Sequence, residues 1–118
     1  MIDSVSFLHS RGIVHRDIKL ENLILTGEAI KLIDFGFALV SKPDESLKLL
    51  CGTPAYMPPE MLLKKEYRGP PIDIWTCGVV FYALLTGGLP FTAHTERDLH
   101  KKITSGIYHV PKEISPRA

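Results

Sequence analysis

GIVHRDIKLENLIL, residues 12–25, decides how the chain is read: it sets His15, Arg16, Asp17, Lys19, Glu21 and Asn22 between apolar runs that read as buried. Ionisable and amide groups at the edge of a core are costly unless each finds a partner, so they imply either chemistry or a dense hydrogen-bond network. Singly, the residues have plain explanations, His15 as a packed imidazole and Lys19 as a solvated charge. Their order and spacing within the rest of the chain weigh against those explanations.

Upstream, Ile2, Val5 and Leu8 recur at helical spacing with no capping signal ahead of them, so the chain is expected to enter in mid-helix. Downstream, LILTGEAIKLI (23–33) runs around Thr26-Gly27-Glu28 and predicts a tight hairpin of two short strands. Residues 37–59 mix Ser, Pro, Asp, Lys and Gly with isolated apolar residues and read as a functional loop. IDIWTCGVVFYALL (72–85) reads as a core helix, apolar on all sides, which other elements must wrap; Gly87 and Gly88 stop it. Thr95 is the expected N-cap of a short surface helix, with Asp98 in its first turn, Leu99 and Ile103 as an apolar stripe and Gly106 at its end. Ser115 and Pro116 read as the start of a further helix. Both ends are therefore expected to be cut from something larger.

Composition narrows the function. The 118 residues are 45% apolar, which suits one globular domain, and a formal charge of +1 gives no field toward nucleic acid or a membrane surface. Cys51 and Cys77 form no Cys-x-x-Cys pair and have no clustered His, so a reducing, intracellular setting is expected, cytoplasmic with the nucleus left open. The 72–85 run is interrupted by Asp73, Thr76 and Gly78 and falls short of the roughly 20 residues of a membrane span.

HRDIKLEN is followed by Asp34-Phe35-Gly36 at the end of an apolar strand, then by CGTPAYMPPE (51–60) and DIWTCGV (73–79). This ordered set resembles the protein kinase motifs H-R-D-x-K-x-x-N and D-F-G, the end of the activation segment, and the central helix with D-x-W-x-x-G. The resemblance runs through nearly all of the chain. It implies an α+β fold, a partial protein-kinase-like C-terminal lobe that is mainly helical with a short β-hairpin beside the catalytic loop. Residues 1–118 would be an incomplete kinase domain, with the N-terminal lobe and final helices absent. Lys19 and Thr53 are the serine/threonine versions of these motifs, and the wording of IKLIDFGFA and CGTPAY is similar to the calcium/calmodulin-dependent and AMP-activated-like group.

The resemblance also implies roles. Asp17 would orient and accept the proton of the attacking hydroxyl, and Lys19 would offset negative charge on the moving phosphoryl group, with Thr53 bonded toward both. Asn22 and Asp34 would hold Mg2+ with ATP, and the acidic cluster would make sense only with metal and nucleotide bound. Ile24, near Leu23, would lie below the adenine. Glu21, as a partly buried carboxylate, would suit a basic residue beside the Ser/Thr acceptor of a protein substrate. Asp73 would bond the backbone around His15 and Arg16; Phe35 would pack under an upper lobe; Gly36 would let the backbone turn beside Asp34; Glu60 would pair with an arginine further along. Arg16 marks kinases whose phosphorylated activation segment pairs with that arginine, yet Leu49 stands where the phosphothreonine is usual. No G-x-G-x-x-G and no Val-Ala-x-Lys occurs, so the isolated chain is expected to be inactive, with the core around Trp75 and Phe81 partly uncovered. Two other readings compete: a truncated, non-catalytic kinase-like interaction module, and a small-molecule phosphotransferase of related fold, which would lack the GTPAYMPPE-like segment.

Overall fold

The computed structural model of the chain describes residues 1–42, 44–112 and 114–115. Its elements run in the order α1 (Ile2–Ser10), β1 (Ile13–Val14), β2 (Leu23–Thr26), β3 (Ala29–Leu32), β4 (Leu39–Val40), α2 (Pro59–Leu62), α3 (Gly69–Thr86) and α4 (Glu96–Ser105). Single 3₁₀ turns cover Leu20–Asn22 and Pro54–Tyr56. The result is a set of helices with two small antiparallel sheets. The expected hairpin is β2 against β3, with Leu23 opposite Leu32 and Thr26 opposite Ala29. Its two-residue link, Gly27-Glu28, uses Gly27 at φ 60, the left-handed conformation that tight hairpins require. The other sheet pairs β1 with β4, Ile13 opposite Val40 and Val14 opposite Leu39.

Helix α3 is the spine. Pro70 and Pro71 fit its first turn, where no N–H bond is lost, and Gly87 ends it at φ 76 with its N–H on the Ala83 carbonyl. One face buries Ile72, Asp73, Thr76, Cys77, Val79, Val80 and Ala83. The other leaves Ile74, Phe81, Leu84 and Leu85 exposed, which corrects the expectation of a helix wrapped all round. The partly uncovered core expected near Phe81 follows, since Phe81 is half exposed.

Two apolar clusters meet α3. One gathers Val5, Ile18, Tyr56, Cys77, Val79 and Val80; the other gathers Val14, Cys51, Met61, Tyr67 and Ile72. Residues 14–18 pass from one cluster to the other, Val14 buried in the second and Ile18 in the first, and this pins both ends of the polar stretch between them. Gly69 makes the crossing close: a Cβ there would stand 2.4 Å from Val14 Cγ2.

Several expectations need correction. Of the apolar runs in the opening stretch, the upstream one buries Val14 as expected, whereas Ile24 and Leu25 of the downstream one face out; His15, Arg16, Asp17 and Asn22 are buried. In α1 only Val5 is buried deeply; Ile2 is exposed. The 37–59 loop contains β4, the Pro54–Tyr56 turn and the first residue of α2. Helix α4 keeps its expected caps, Thr95 Oγ1 accepting from Asp98 N at 3.1 Å and Gly106 at φ 66, and seats Ile103 in the interior. The start of a helix expected at Ser115 and Pro116 falls partly outside the described residues, and Ser115 itself is not helical. Both cysteines are free thiols. Among the described residues no helix is long and apolar enough to cross a membrane.

Candidate active site

The polar stretch is anchored by Asp73, fully buried in the first turns of α3. Its Oδ2 accepts from His15 N at 2.9 Å and its Oδ1 from Arg16 N at 2.8 Å, and Oδ2 also meets His9 Nε2 at 2.8 Å. Three donors satisfy a carboxylate whose burial would otherwise be prohibitive. They also hold Arg16 at φ 67, a left-handed conformation that costs a non-glycine residue roughly 1–2 kcal/mol. His15 Nδ1 accepts from Asp17 N at 3.3 Å, so the proton sits on Nε2, which donates to the Ile33 carbonyl at 3.1 Å. The Phe35 ring stands edge-on to the His15 imidazole, centroids 4.9 Å apart. Through His15 the loop is tied to the chain on either side of Asp34.

Asp17 is the centre, only 3% exposed. Its Oδ2 pairs with Lys19 Nζ at 2.9 Å, and its Oδ1 accepts from Thr53 Oγ1 at 3.1 Å. Lys19 Nζ also donates to Thr53 Oγ1 at 3.0 Å, which closes a triangle. Asn22 Nδ2 donates to the Asp17 carbonyl at 2.8 Å and lies 3.3 Å from Asp17 Oδ2. The hydrogen bond to Asp17 holds the Lys19 ammonium above the ordinary lysine value, against the opposing effect of burial. Thr53 reaches this position because Gly52 adopts φ 97, where a Cβ would stand 2.8 Å from the Arg16 carbonyl oxygen. Within the chain the Asp17 carboxylate is thus met by the Lys19 ammonium and the Thr53 hydroxyl.

Asp34 lies at the exposed rim in a left-handed conformation, φ 61, and its Oδ1 accepts from Gly36 N at 3.1 Å. The strained turn is thus carried by Asp34, and Gly36 supplies the amide and the room for it. Asp34 is near enough to Lys19 to contribute to that residue's raised pKa. With Nδ2 of Asn22 committed to Asp17, its Oδ1 is the oxygen left to offer, and Asp34 retains Oδ2. Hard oxygen donors of this kind are the type that would suit Mg2+. Among the described residues no three His, Cys, Asp or Glu side chains converge on one point. Glu21 is exposed beside the Tyr56 phenol, a correction to the partly buried carboxylate expected. Ile24 is exposed on β2, and Glu60 sits in α2, outside the Asp17 cluster.

Sequence reasoning missed three contributors. His9 lies one turn after Val5 on the inward face of α1, so the helical stripe could have found it. Gly52 and Tyr67 act through approaches that no local pattern announces. Arg16 Nε, meanwhile, donates to the Phe37 carbonyl at 2.7 Å.

Residues 1–117 match the protein kinase domain family. The chain belongs to that family. Among relatives of this kinase-domain chain, the serine/threonine-protein kinase kin-29 of Caenorhabditis briggsae is 47% identical over 95% of the chain and 14% of its own length. CBL-interacting serine/threonine-protein kinase 14 of Arabidopsis thaliana is 46% identical over 98% of the chain and 27% of its own length. The probable serine/threonine-protein kinase HSL1 of Saccharomyces cerevisiae is 43% identical over 100% of the chain and 8% of its own length. The chain thus spans about a quarter or less of these kinases, and the serine/threonine character expected from its motifs is theirs by name.

Proposed function

We propose that residues 1–118 are the central part of the large, mainly helical lobe of a serine/threonine protein kinase, an incomplete domain whose full form transfers the terminal phosphoryl of ATP to protein Ser or Thr hydroxyls. The triangle of Asp17, Lys19 and Thr53 carries this reading. One Asp17 oxygen lies between two donors, and an incoming hydroxyl would replace one of them. Asp17 then accepts the hydroxyl proton as the oxygen bonds to phosphorus and the bond to the departing ADP breaks. Lys19, kept protonated, offsets charge on the transferring group, and Thr53 fixes both side chains. Asn22 and Asp34 would hold Mg2+, whose charge neutralises the phosphate oxygens. His15, Arg16 and Asp73 fix the loop, while Ile24 and Leu23 offer an apolar floor for adenine, and Phe35 and Gly36 set the position of Asp34. Glu21, exposed, would pair with a basic residue near the acceptor, a contact worth at most about 1 kcal/mol in solvent. Glu60 would pair with an arginine outside residues 1–118. Two free thiols accord with an intracellular setting where ATP is supplied.

The 118 residues contain no glycine-rich phosphate loop and no Val-Ala-x-Lys. Phosphoryl transfer by the isolated chain is accordingly expected to be negligible. The test is a chimera in which residues 1–118 replace the matching stretch of the Arabidopsis CBL-interacting kinase 14, assayed with radiolabelled ATP on Ser- and Thr-containing peptides. Activity that Asp17→Ala abolishes supports the reading. A folded chimera with no transfer would sink it.

A further inference from the structure

Residues 44–53 run past the site before delivering Thr53 to Asp17. Leu47 and Tyr67 form an isolated antiparallel bridge, Leu47 N donating to Tyr67 O at 2.9 Å and Tyr67 N to Leu47 O at 3.0 Å. The Tyr67 side chain is 4% exposed, packs in the same cluster as Cys51, and donates its hydroxyl to the Leu49 carbonyl. Burial raises the Tyr67 phenol, and the positive charge of Arg16 opposes that rise. Tyr67 therefore stands between the loop that carries Asp17 and the segment that carries Thr53.

The other side-chain polar ties of residues 44–48 lie in solvent. Lys48 Nζ meets Glu66 Oε1 at 2.7 Å, Ser46 Oγ donates to Glu66 Oε2 at 2.8 Å, and Arg68 lies 3.9 Å from Asp44. The two ion pairs expose more than half of every side chain involved, and such pairs contribute little. The bonds of Tyr67 are the sheltered ones. Arg16, only 9% exposed, is already engaged with the Phe37 carbonyl.

We propose that Tyr67 is a positioning residue, a latch whose backbone bridge to Leu47 and hydroxyl bond to Leu49 keep residues 47–53 in place, so that Thr53 stays on Asp17 and Lys19 without a phosphoryl group on the segment. The consequence for catalysis rests on the kinase reading; the latch itself does not. Leu49 has no hydroxyl to modify and the Ser46 hydroxyl is bonded to exposed Glu66, whereas Tyr67, which bonds to Leu49 from the adjoining loop, is buried.

Amide hydrogen exchange on the 118-residue chain, produced without any protein kinase, tests the latch. The unphosphorylated parent should protect the Leu47 and Tyr67 amides. Tyr67→Phe removes the hydroxyl and keeps the ring; exchange at Leu47, Tyr67 and neighbouring amides up to Thr53 should rise about fivefold to tenfold. The Thr53 methyl resonance should shift, while the hairpin amides of Leu25 and Ile30 stay as in the parent. Glu66→Gln, which weakens only the solvent-exposed ties, should change exchange at 47–53 by less than twofold. No protection in the parent, an equal rise at every amide in Tyr67→Phe, or a larger effect from Glu66→Gln than from Tyr67→Phe would each overturn the proposal. An inactive chimera beside the expected exchange pattern would instead overturn the kinase reading and leave the latch standing.

Discussion

Asp73→Asn is the sharpest perturbation of the anchor. In the parent, Oδ1 serves Arg16 N and Oδ2 serves His15 N and His9 Nε2, at 2.8 to 2.9 Å. The amide offers one acceptor oxygen and one donor, so in either orientation an N–H of Asn faces a donor in the loop or on His9. Keeping the oxygen on the His15 side retains the larger share of the bonds and orphans the Arg16 amide. The lost charge-assisted bond is worth about 1.5–3 kcal/mol. Any relaxation of Arg16 from φ 67 would release part of the roughly 1–2 kcal/mol held in that conformation and so offset some of the loss. The expected total is about 1–3 kcal/mol, against the roughly 5–15 kcal/mol that holds a domain folded. Urea denaturation followed by Trp75 fluorescence should show that loss with an unchanged slope, and the Arg16 amide should exchange more than tenfold faster. A variant within 0.5 kcal/mol of the parent, or unaltered exchange at Arg16, would refute the assignment of Asp73 as anchor.

Three further outcomes are expected. Burial raises the Cys77 thiol from 9.0 to about 11, with Asp73 adding to the rise. The unfolded chain therefore ionises first, and the contribution is intact below pH 9 and lost toward pH 11, up to roughly 3 kcal/mol; denaturation at stepped pH should show a decline that Cys77→Ala flattens. Lys64 is exposed at φ 53, so Lys64→Gly should stabilise by about 0.5–1 kcal/mol, read as a rise in the urea midpoint. Gly52→Ala must place a Cβ 2.8 Å from the Arg16 carbonyl oxygen at φ 97, so it should cost roughly 2 kcal/mol and move the Thr53 methyl resonance; an unchanged spectrum would contradict the close approach.

Much of this was legible because it is local or recurs at fixed spacing. The hairpin at Gly27-Glu28, the Thr95 cap and the Gly87 stop are each written within a few residues, and they stand as expected. The motif set named in advance Asp17, Lys19 and Thr53, which the fold brings into one triangle, and Asp73, which it sets against His15 and Arg16. What escaped depends on approaches between distant residues. His9 meets Asp73 from another helix, Tyr67 meets Leu49 across a loop, and Gly52 matters because of a carbonyl in a different segment. Sheet β1–β4 is two residues a strand, too short for an alternation to register. The exposed face of α3 escaped for another reason: apolar periodicity tells what a helix can bury, and the elements around it decide how much it does.

We propose that Asn22 and Asp34, beside Asp17, hold a divalent cation with nucleotide. Paramagnetic broadening tests it even when binding is weak: Mn2+ with ATP is titrated into isotopically labelled chain and followed by amide resonances. Selective broadening of Asp17, Asn22 and Asp34, with α4 unaffected and the effect reduced by Asp34→Asn, is the predicted result. Broadening centred elsewhere, or an Asp34→Asn titration identical to that of the parent, would contradict it.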